Sequence, residues 1–176
     1  MTMKLHLTEA QLLHEWQLRA FPEPVNSGCV ITRDDGVDLD ALLRARMLDW
    51  YRRLLHEAPF DMLAPVTLTL SLTVDRDGVG RAALPDSVVR VAEVAVGGCR
   101  AELVTDSRSR KARLQQSPYT RAAASNPVAV LDGRRIDIFV VSRDCREVVL
   151  QAVVDDGVTF SLDAAALGAV ESFINA

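Results

Sequence analysis

The spacing of apolar residues changes near Pro65, and this change constrains the fold more than any other feature of the sequence. Residues 38–59 (DLDALLRARMLDWYRRLLHEAP) carry apolar side chains at intervals of three and four, which predicts one long amphipathic helix with Asp38 as its N-cap. Residues 66–74 (VTLTLSLTV) instead alternate apolar and hydroxyl side chains, which is typical of a half-buried strand. Separate helical and strand-forming blocks indicate an α+β protein.

A shorter helix is predicted ahead of this one. Thr8 followed by Gln11 fits a capping box, and Pro22 cannot continue a helix. Residues 25–36 predict a loop with a short extended piece near 29–32. We expect each helix to bury one apolar face. For the long helix the residues of this face are Leu39, Leu42, Leu43, Met47, Trp50 and Leu54. For the first helix they are Leu5, Leu12, Leu13 and Trp16.

The region after Pro65 is predicted to be rich in antiparallel strands, because short alternating segments are separated by turn-forming pairs. Those pairs are Asp77-Gly78, Gly97-Gly98, Asp132-Gly133 and Asp156-Gly157, the last joining two strands of a hairpin. We expect a short helix near 106–116, capped by Thr105, Asp106 or Ser107, and a C-terminal helix capped by Asp163. The prediction is one domain over 1–176: a helical part (1–64), an antiparallel β-sandwich or barrel-like part (65–160) and a C-terminal helix (161–176).

Composition narrows the functional classes. The formal net charge is −4, so a contact with a polyanion would have to be local. The cysteines, Cys29, Cys99 and Cys145, form neither a metal-binding spacing nor an even set, which favours a reducing, intracellular setting. We expect neither a secretory signal nor a membrane span, because the sequence shows no apolar run of the required length.

Motifs of known catalytic and binding sites are missing from the sequence. It contains no HExxH, GxSxG, P-loop or GxGxxG. Residues 73–84 resemble a calcium loop only superficially, since Thr73 and Leu84 replace the first and last acidic ligands. Cys99 follows two glycines but has no histidine placed to activate it. We therefore predict a non-enzymatic protein without catalytic, cofactor-binding or metal-binding residues.

One basic segment stands out. Arg108, Arg110, Lys111 and Arg113 follow one another closely, and more arginines come after them. Three interpretations are open: a solvated helix face, a surface that docks on an acidic protein rim, and contact with a nucleic acid backbone. Residues 117–127 (SPYTRAAASNP) are predicted to form an extended, partly mobile loop, and a long loop in a small domain is often an interaction element.

The order of these segments resembles a family of phage virion proteins. A tryptophan-bearing helix and alternating strands precede LPDSVVRVAEVAVGG (84–98), and SPYTRAAASNPVAVLDGRRIDIF (117–139) follows a polar helix. Over residues 38–140 this resembles the ring proteins of the head-to-tail junction (connector, adaptor or tail-tube-like), including those of phages and prophages of Bacteroidetes-type hosts. The sequence departs from the family pattern at 97–99, where Gly-Gly-Cys replaces an aromatic. The residues that match are Leu84, Pro85, Asp86, Arg90, Tyr119, Asn126 and Pro127.

The resemblance implies a ring subunit around a DNA channel. Such a subunit would assemble in the cytoplasm of a bacterial host, form a homo-oligomer and dock on the portal or other tail proteins within the virion, with its arginines facing a neighbour or the DNA. The alternative hypothesis is a small nucleic-acid-binding or regulatory module that uses residues 108–113, and the third is an enzyme of unrecognised type. The residues predicted to dock on a partner are Tyr119, Arg121, Asn126, Arg134 and Arg135.

Overall fold

The computed structural model describes residues 3–21, 38–123, 125–139, 141–142 and 144–170. The chain forms two compact units. The helical unit comprises Met1–Ala64 and Asp155–Ala176, and the barrel unit comprises Pro65–Val154. The predicted α+β class, with leading helices, a barrel-like sheet and a C-terminal helix, is confirmed. The single domain over 1–176 stays a prediction, and the extended piece expected near 29–32 lies outside the described residues.

The elements follow one another in nearly the predicted order. The helices are α1 (Glu9–Ala20), α2 (Leu39–Glu57), α3 (Arg110–Gln116) and α4 (Ala164–Gly168), and one turn of 3-10 helix spans Phe60–Met62. The strands are β1 (Lys4–Leu7), β2 (Val66–Ser71), β3 (Thr73–Val74), β4 (Val79–Ala83), β5 (Val88–Val96), β6 (Cys99–Val104), β7 (Val128–Asp132), β8 (Arg135–Phe139), β9 (Glu147–Val154) and β10 (Phe160–Asp163).

Helix α1 begins at the predicted capping box. The Gln11 amide donates to the Thr8 hydroxyl at 3.4 Å, and the Thr8 amide donates to the Gln11 side-chain oxygen at 2.9 Å. This exchange gives two backbone donors a partner at the helix start. Leu5 does not belong to the helical stripe as predicted, because Thr8 keeps an extended backbone and the preceding residues form β1.

Helix α2 also begins where predicted. One Asp38 carboxylate oxygen accepts hydrogen bonds from the amides of Asp40 and Ala41 at 3.0 and 3.1 Å. Leu39 is 45% exposed, so its assignment to the buried face was wrong. The first helical turn leaves this side chain outside the apolar contact that the rest of the helix makes. The buried residues of α2 are Met47, Trp50, Tyr51, Leu54 and Leu55.

The last predicted hairpin does not form. Strand β9 pairs with β2 and β5 inside the barrel unit, whereas β10 pairs antiparallel with β1 in the helical unit. Phe160 and Leu162 are buried there, and the Phe160 ring meets the ring of Tyr51 edge to face with centroids 4.9 Å apart. Asp156-Gly157 therefore precedes a strand of a different sheet and is not a hairpin loop.

The barrel unit is one eight-stranded sheet in the order β2-β9-β5-β6-β7-β8-β4-β3. The two ends of this order, β2 and β3, are consecutive in the chain and flank Leu72, so the sheet nearly closes on itself. Leu72 is buried, and its amide donates to the carbonyl of Arg146 at 2.7 Å. Near-closure leaves few unpaired strand edges, which protects a β-rich unit from edge-to-edge association.

One pair in this sheet is parallel. Strand β6 pairs antiparallel with β5 through Cys99–Ala101 and parallel with β7 through Glu102–Val104. The sheet is therefore mixed, and the expectation of a purely antiparallel region is corrected. The reason is the connection: the chain passes through α3 between β6 and β7, and such a crossover returns it to the end of the sheet where β6 began.

Helix α3 packs on the outer face of the barrel. Alternation along β7 points Ala129 into the main core and turns Val128 and Val130 outward. Ala112 of α3 covers this outer cluster, and Ser109 caps the helix by accepting from the Ala112 amide at 3.2 Å. The caps predicted at 105–107 were wrong; the Asp106 carboxylate instead accepts from the Arg108 amide at 2.9 Å and shapes the preceding turn.

Candidate docking site

The segment 117–123 follows α3 and is tied to it by several hydrogen bonds. The hydroxyl of Thr120 donates to the carbonyl of Leu114 at 2.6 Å, and the amide of Ala122 donates to the side-chain oxygen of Gln115 at 2.9 Å. Gln115 is 4% exposed, so this contact is largely shielded from water. The predicted extended loop instead contains turns, in which the backbone amides of Thr120 and Asn126 each donate to the carbonyl three residues earlier. The partial mobility stays a prediction.

Arg121 locks the segment onto the barrel. Its Nε donates to the Gln115 carbonyl at 2.9 Å, and its Nη1 donates to the Asp77 carbonyl at 2.8 Å. The guanidinium also lies over the ring of Phe139, 5.4 Å from the centroid. The planar guanidinium thus makes two hydrogen bonds and one ring contact at once, and the single ammonium group of a lysine could not make all three. Arg121, predicted to bind a partner, therefore has its main interactions inside the chain.

The hairpin that receives Arg121 is itself held rigidly. One oxygen of the Asp75 carboxylate accepts from the amides of Asp77 and Val79, both at 2.9 Å, and the other lies 2.9 Å from Arg81. The Val79 amide, above all, holds the pKa of Asp75 below its ordinary value, with smaller contributions from the Asp77 amide and Arg81. The hairpin is thus a preorganised support for the segment 117–123.

Tyr119 projects from this anchored base. It is 97% exposed, although the residues around it are fixed by main-chain and side-chain hydrogen bonds. Exposed aromatic side chains are frequent anchors of protein interfaces, and an already ordered backbone lowers the entropy cost when a partner covers them. Leu114, 39% exposed in α3 nearby in sequence, is the other large apolar side chain of this segment that faces solvent.

Two predicted docking residues occupy a different place. Arg134 donates three hydrogen bonds to the carbonyls of Pro85, Asp86 and Val88, at 3.2, 3.1 and 2.7 Å. Arg135 pairs with Asp137 at 2.9 Å and with Asp132 at 3.4 Å. Arg135 begins β8 and Arg134 directly precedes it, which places Arg135 roughly 13 Å along the strand from Phe139 and the Arg121 contact. The structure thus separates them from the Tyr119 segment.

The residues of the basic segment (108–113) also differ in whether they have a partner inside the chain. Lys111 forms an ion pair with Glu102 of β6. The side chains of Arg108, Arg110 and Arg113 are exposed and make no hydrogen bond or ion pair with any described residue. Asn126 is exposed as well, next to the buried Pro127 that precedes β7. Tyr119 is therefore preceded in the sequence, within eleven residues, by three exposed arginines that have no described acidic partner.

Charge is distributed unevenly between the two units. The barrel unit contains thirteen Arg and Lys residues against ten Asp and Glu, and the helical unit contains seven against fourteen. The modest overall charge of −4 thus conceals a basic unit and an acidic unit. Such asymmetry favours association with surfaces of opposite charge, including an acidic surface on a neighbouring protein.

Sequence reasoning missed the two residues that organise this site. Gln115 looked like part of a polar surface helix, and Phe139 like an ordinary strand residue. Their roles depend on α3 lying against the outer face of β7 and β8, which no local pattern indicates. The only available signal was the apolar Val-Ala-Val run at 128–130, which is buried on both faces.

No group of three or more His, Cys, Asp or Glu side chains is placed to hold a metal ion in the described part of the chain. Among the described residues, no helix is both long and apolar enough to cross a membrane. Comparison with models of known protein families finds no match. Comparison with curated proteins likewise finds no match.

Proposed function

We propose that the protein is a non-enzymatic structural subunit of a phage head-to-tail junction, which assembles into a ring and docks on portal or tail proteins. One structural observation supports the docking part of this proposal: Tyr119 is almost fully exposed on a segment that Arg121 and Gln115 hold rigid. The ring and the virion setting come from the family resemblance of residues 38–140.

The physical case for docking rests on preorganisation. A partner that covers Tyr119 would bury a large aromatic surface, and its ordering cost would be small because the base of the segment is already fixed. Arg110 and Arg113 lie close by in sequence without a described acidic partner, so they could steer an acidic surface toward the ring. A homo-oligomer joined by such head-to-tail contacts closes into a ring when its rotation permits.

Electron microscopy and sedimentation velocity of the purified chain, alone and mixed with the products of its flanking genes, test this proposal. We expect rings, or decoration of a portal-like ring. Tyr119→Ala should weaken the association at least tenfold, which is the usual effect of losing an aromatic anchor. Val158→Ala is the matched control, since Val158 is 73% exposed but belongs to the helical unit.

The outcomes separate the parts of the proposal. A chain that stays monomeric and binds no flanking gene product under any condition overturns the assembly role. Rings that form equally well with Tyr119→Ala overturn only the assignment of Tyr119 as the docking residue.

The exposed arginines at 108, 110 and 113 support a second candidate, contact with a nucleic acid backbone. This hypothesis expects an affinity for duplex DNA that falls steeply with salt concentration and that is lost when the three arginines are replaced by glutamine. The docking hypothesis expects weak DNA binding and association that survives those replacements in part. Fluorescence anisotropy with labelled DNA at two salt concentrations distinguishes the candidates.

A further inference from the structure

A partly open cavity of about 340 Å³ lies in the helical unit, between α1 and α2. The two helices run in the same direction, since Glu9 pairs with Arg44 toward their starts and the cavity joins Trp16 to Trp50 further along. Its volume falls within the range of small-molecule sites. Six of its lining side chains matter for the argument: Trp16, Phe21, Trp50, Arg46, Asp49 and Arg53.

The cavity has an aromatic wall with two unused donors. Trp16 and Trp50 are each only 2% exposed, and the Phe21 ring meets Trp16 edge to face with centroids 6.0 Å apart. The indole nitrogens of both tryptophans are buried, and no described residue accepts a hydrogen bond from either. Buried indole N–H groups normally find an acceptor. Both nitrogens are closed to solvent, so the open space of the cavity reaches the aromatic wall but not these two donors.

One of the two arginines at the rim of the cavity has no acidic partner among the described residues. Arg53 pairs with Asp49 at 2.5 Å, which neutralises one arginine. Arg46 is exposed and its side chain makes no ion pair with any described residue. Glu57 also interacts electrostatically with Arg53, so Arg46 is the arginine of the rim whose charge is not balanced by a described carboxylate. A local cationic group in an acidic unit favours one anionic group on the occupant.

We propose that this cavity binds a carboxylate attached to an aromatic or apolar body. The body packs against the aromatic wall formed by Trp16, Phe21 and Trp50, and the carboxylate lies at Arg46. Two sources share this chemistry: a free organic acid, and the C-terminus of a polypeptide that ends in an aromatic residue. The inference is independent of ring assembly, since its residues lie in the helical unit.

Tryptophan fluorescence reports on this site alone, because the two tryptophans of the chain both line it. The purified full chain is titrated with 3-phenylpropionate, with its neutral amide 3-phenylpropionamide, and with N-acetylphenylalanine. We expect both acids to shift the emission in a saturable way and the amide to bind at least tenfold more weakly. Tighter binding of phenylpropionate indicates a free acid as the natural occupant, and tighter binding of N-acetylphenylalanine indicates a polypeptide C-terminus.

The variant Arg46→Gln should weaken acid binding about tenfold and leave the amide unchanged. Arg52→Gln is the matched control: it removes the same charge from an exposed position of the same helix, and Arg52 does not line the cavity. Far-UV circular dichroism checks that both variants are folded. In ¹⁵N-labelled protein, the indole N–H signals should shift on acid binding, because both tryptophans line the cavity. Equal binding of acid and amide, equal binding by wild type and Arg46→Gln, or no binding of either acid overturns the proposal.

Discussion

The guanidinium of Arg121 donates a hydrogen bond to the backbone carbonyl of Asp77, which lies 2.8 Å away and 44 residues earlier in the chain. A second donor of the same guanidinium reaches the carbonyl of Gln115 at 2.9 Å. Replacing Arg121 by alanine removes both bonds and the contact with Phe139. Because the side chain is partly exposed, we expect a loss of about 1–2 kcal/mol in the free energy of unfolding, measured by urea denaturation.

Two further variants at and near this position sharpen the test. Arg113→Ala removes an exposed arginine whose side chain has no described partner, and it should change the free energy of unfolding by less than about 0.5 kcal/mol. Arg121→Lys keeps the charge but loses the planar guanidinium, so its free energy of unfolding should be closer to that of Arg121→Ala than to that of wild type. Equal stability of all three variants would show that Arg121 does not anchor the segment.

Gly80 marks the place where β4 approaches the closure of the barrel. A Cβ atom at this position would lie 2.9 Å from a methyl carbon of Leu72, which is buried and packed on several sides. Gly80→Ala should therefore lower the free energy of unfolding by about 1–3 kcal/mol, the usual cost of overpacking. Thermal and urea denaturation measure this effect.

The control for Gly80→Ala is Gly168→Ala, because a Cβ atom at Gly168 meets no other atom within 4 Å. Gly168 ends helix α4, so alanine should be neutral or slightly stabilising there. Replacing Leu72 by alanine in the Gly80→Ala background should recover part of the loss caused by overpacking. Independent, additive losses in that double variant would contradict the proposed clash.

Tyr51 should ionise only in strongly alkaline solution. Burial raises the pKa of its hydroxyl to about 12, and the Ser161 amide, which donates to the phenolic oxygen at 3.2 Å, opposes this in part. The folded state thus holds the phenolic proton more tightly than the unfolded state, whose tyrosine pKa is near 10. The contribution of the neutral Tyr51 hydroxyl to the free energy of unfolding is therefore fully present below pH 10, and it is lost as the pH rises toward 12.

Alkaline spectrophotometric titration of wild type and Tyr51→Phe measures this behaviour. The variant should lack the tyrosinate absorbance that develops near pH 12. Its stability should also fall less steeply than that of wild type between pH 10 and 12. A wild-type titration curve without an absorbance rise near pH 12 would refute the assignment.

Because of Asp75, the free energy of unfolding of the barrel unit should depend on pH in the acid range. Its pKa is below the ordinary value of 3.8, chiefly because the Val79 amide donates to the carboxylate. The ionised form therefore stabilises the hairpin above that value, and the contribution is lost as the pH falls through the lower pKa of the folded state. Wild type should be more stable than Asp75→Asn at neutral pH, and the difference should shrink below pH 3.8. Parallel curves of unfolding free energy against pH for the two proteins would contradict this prediction.

Local sequence signals were sufficient for most helices and strands. Capping residues, the three-to-four spacing of α2 and the alternation of β2 act over a few residues, so Thr8, Asp38, Asp163 and the Asp-Gly turns predicted element boundaries correctly. The exceptions were also local. Leu39 lies in the first turn of its helix, and Ser109 rather than an earlier residue caps α3, because several adjacent polar side chains could serve as the cap.

Pairing between distant strands could not be predicted in this way. An alternating strand is compatible with any free strand edge, so nothing in residues 160–163 indicates that β10 pairs with β1 rather than with β9. The parallel pairing of β6 with β7, and the closure of the sheet at Leu72, likewise depend on the path of the chain.

The residues of the candidate site likewise include some that the sequence indicated and some whose role depends on the tertiary structure. Sequence by itself marked Tyr119 as an exposed aromatic in an interaction segment, because polar and small neighbours leave it no core to join. Only the tertiary structure decided that Arg121 and Arg134 serve as internal anchors. Their donors reach main-chain carbonyls 44 to 49 residues away, and a guanidinium carries the same charge whether it faces a partner or its own chain.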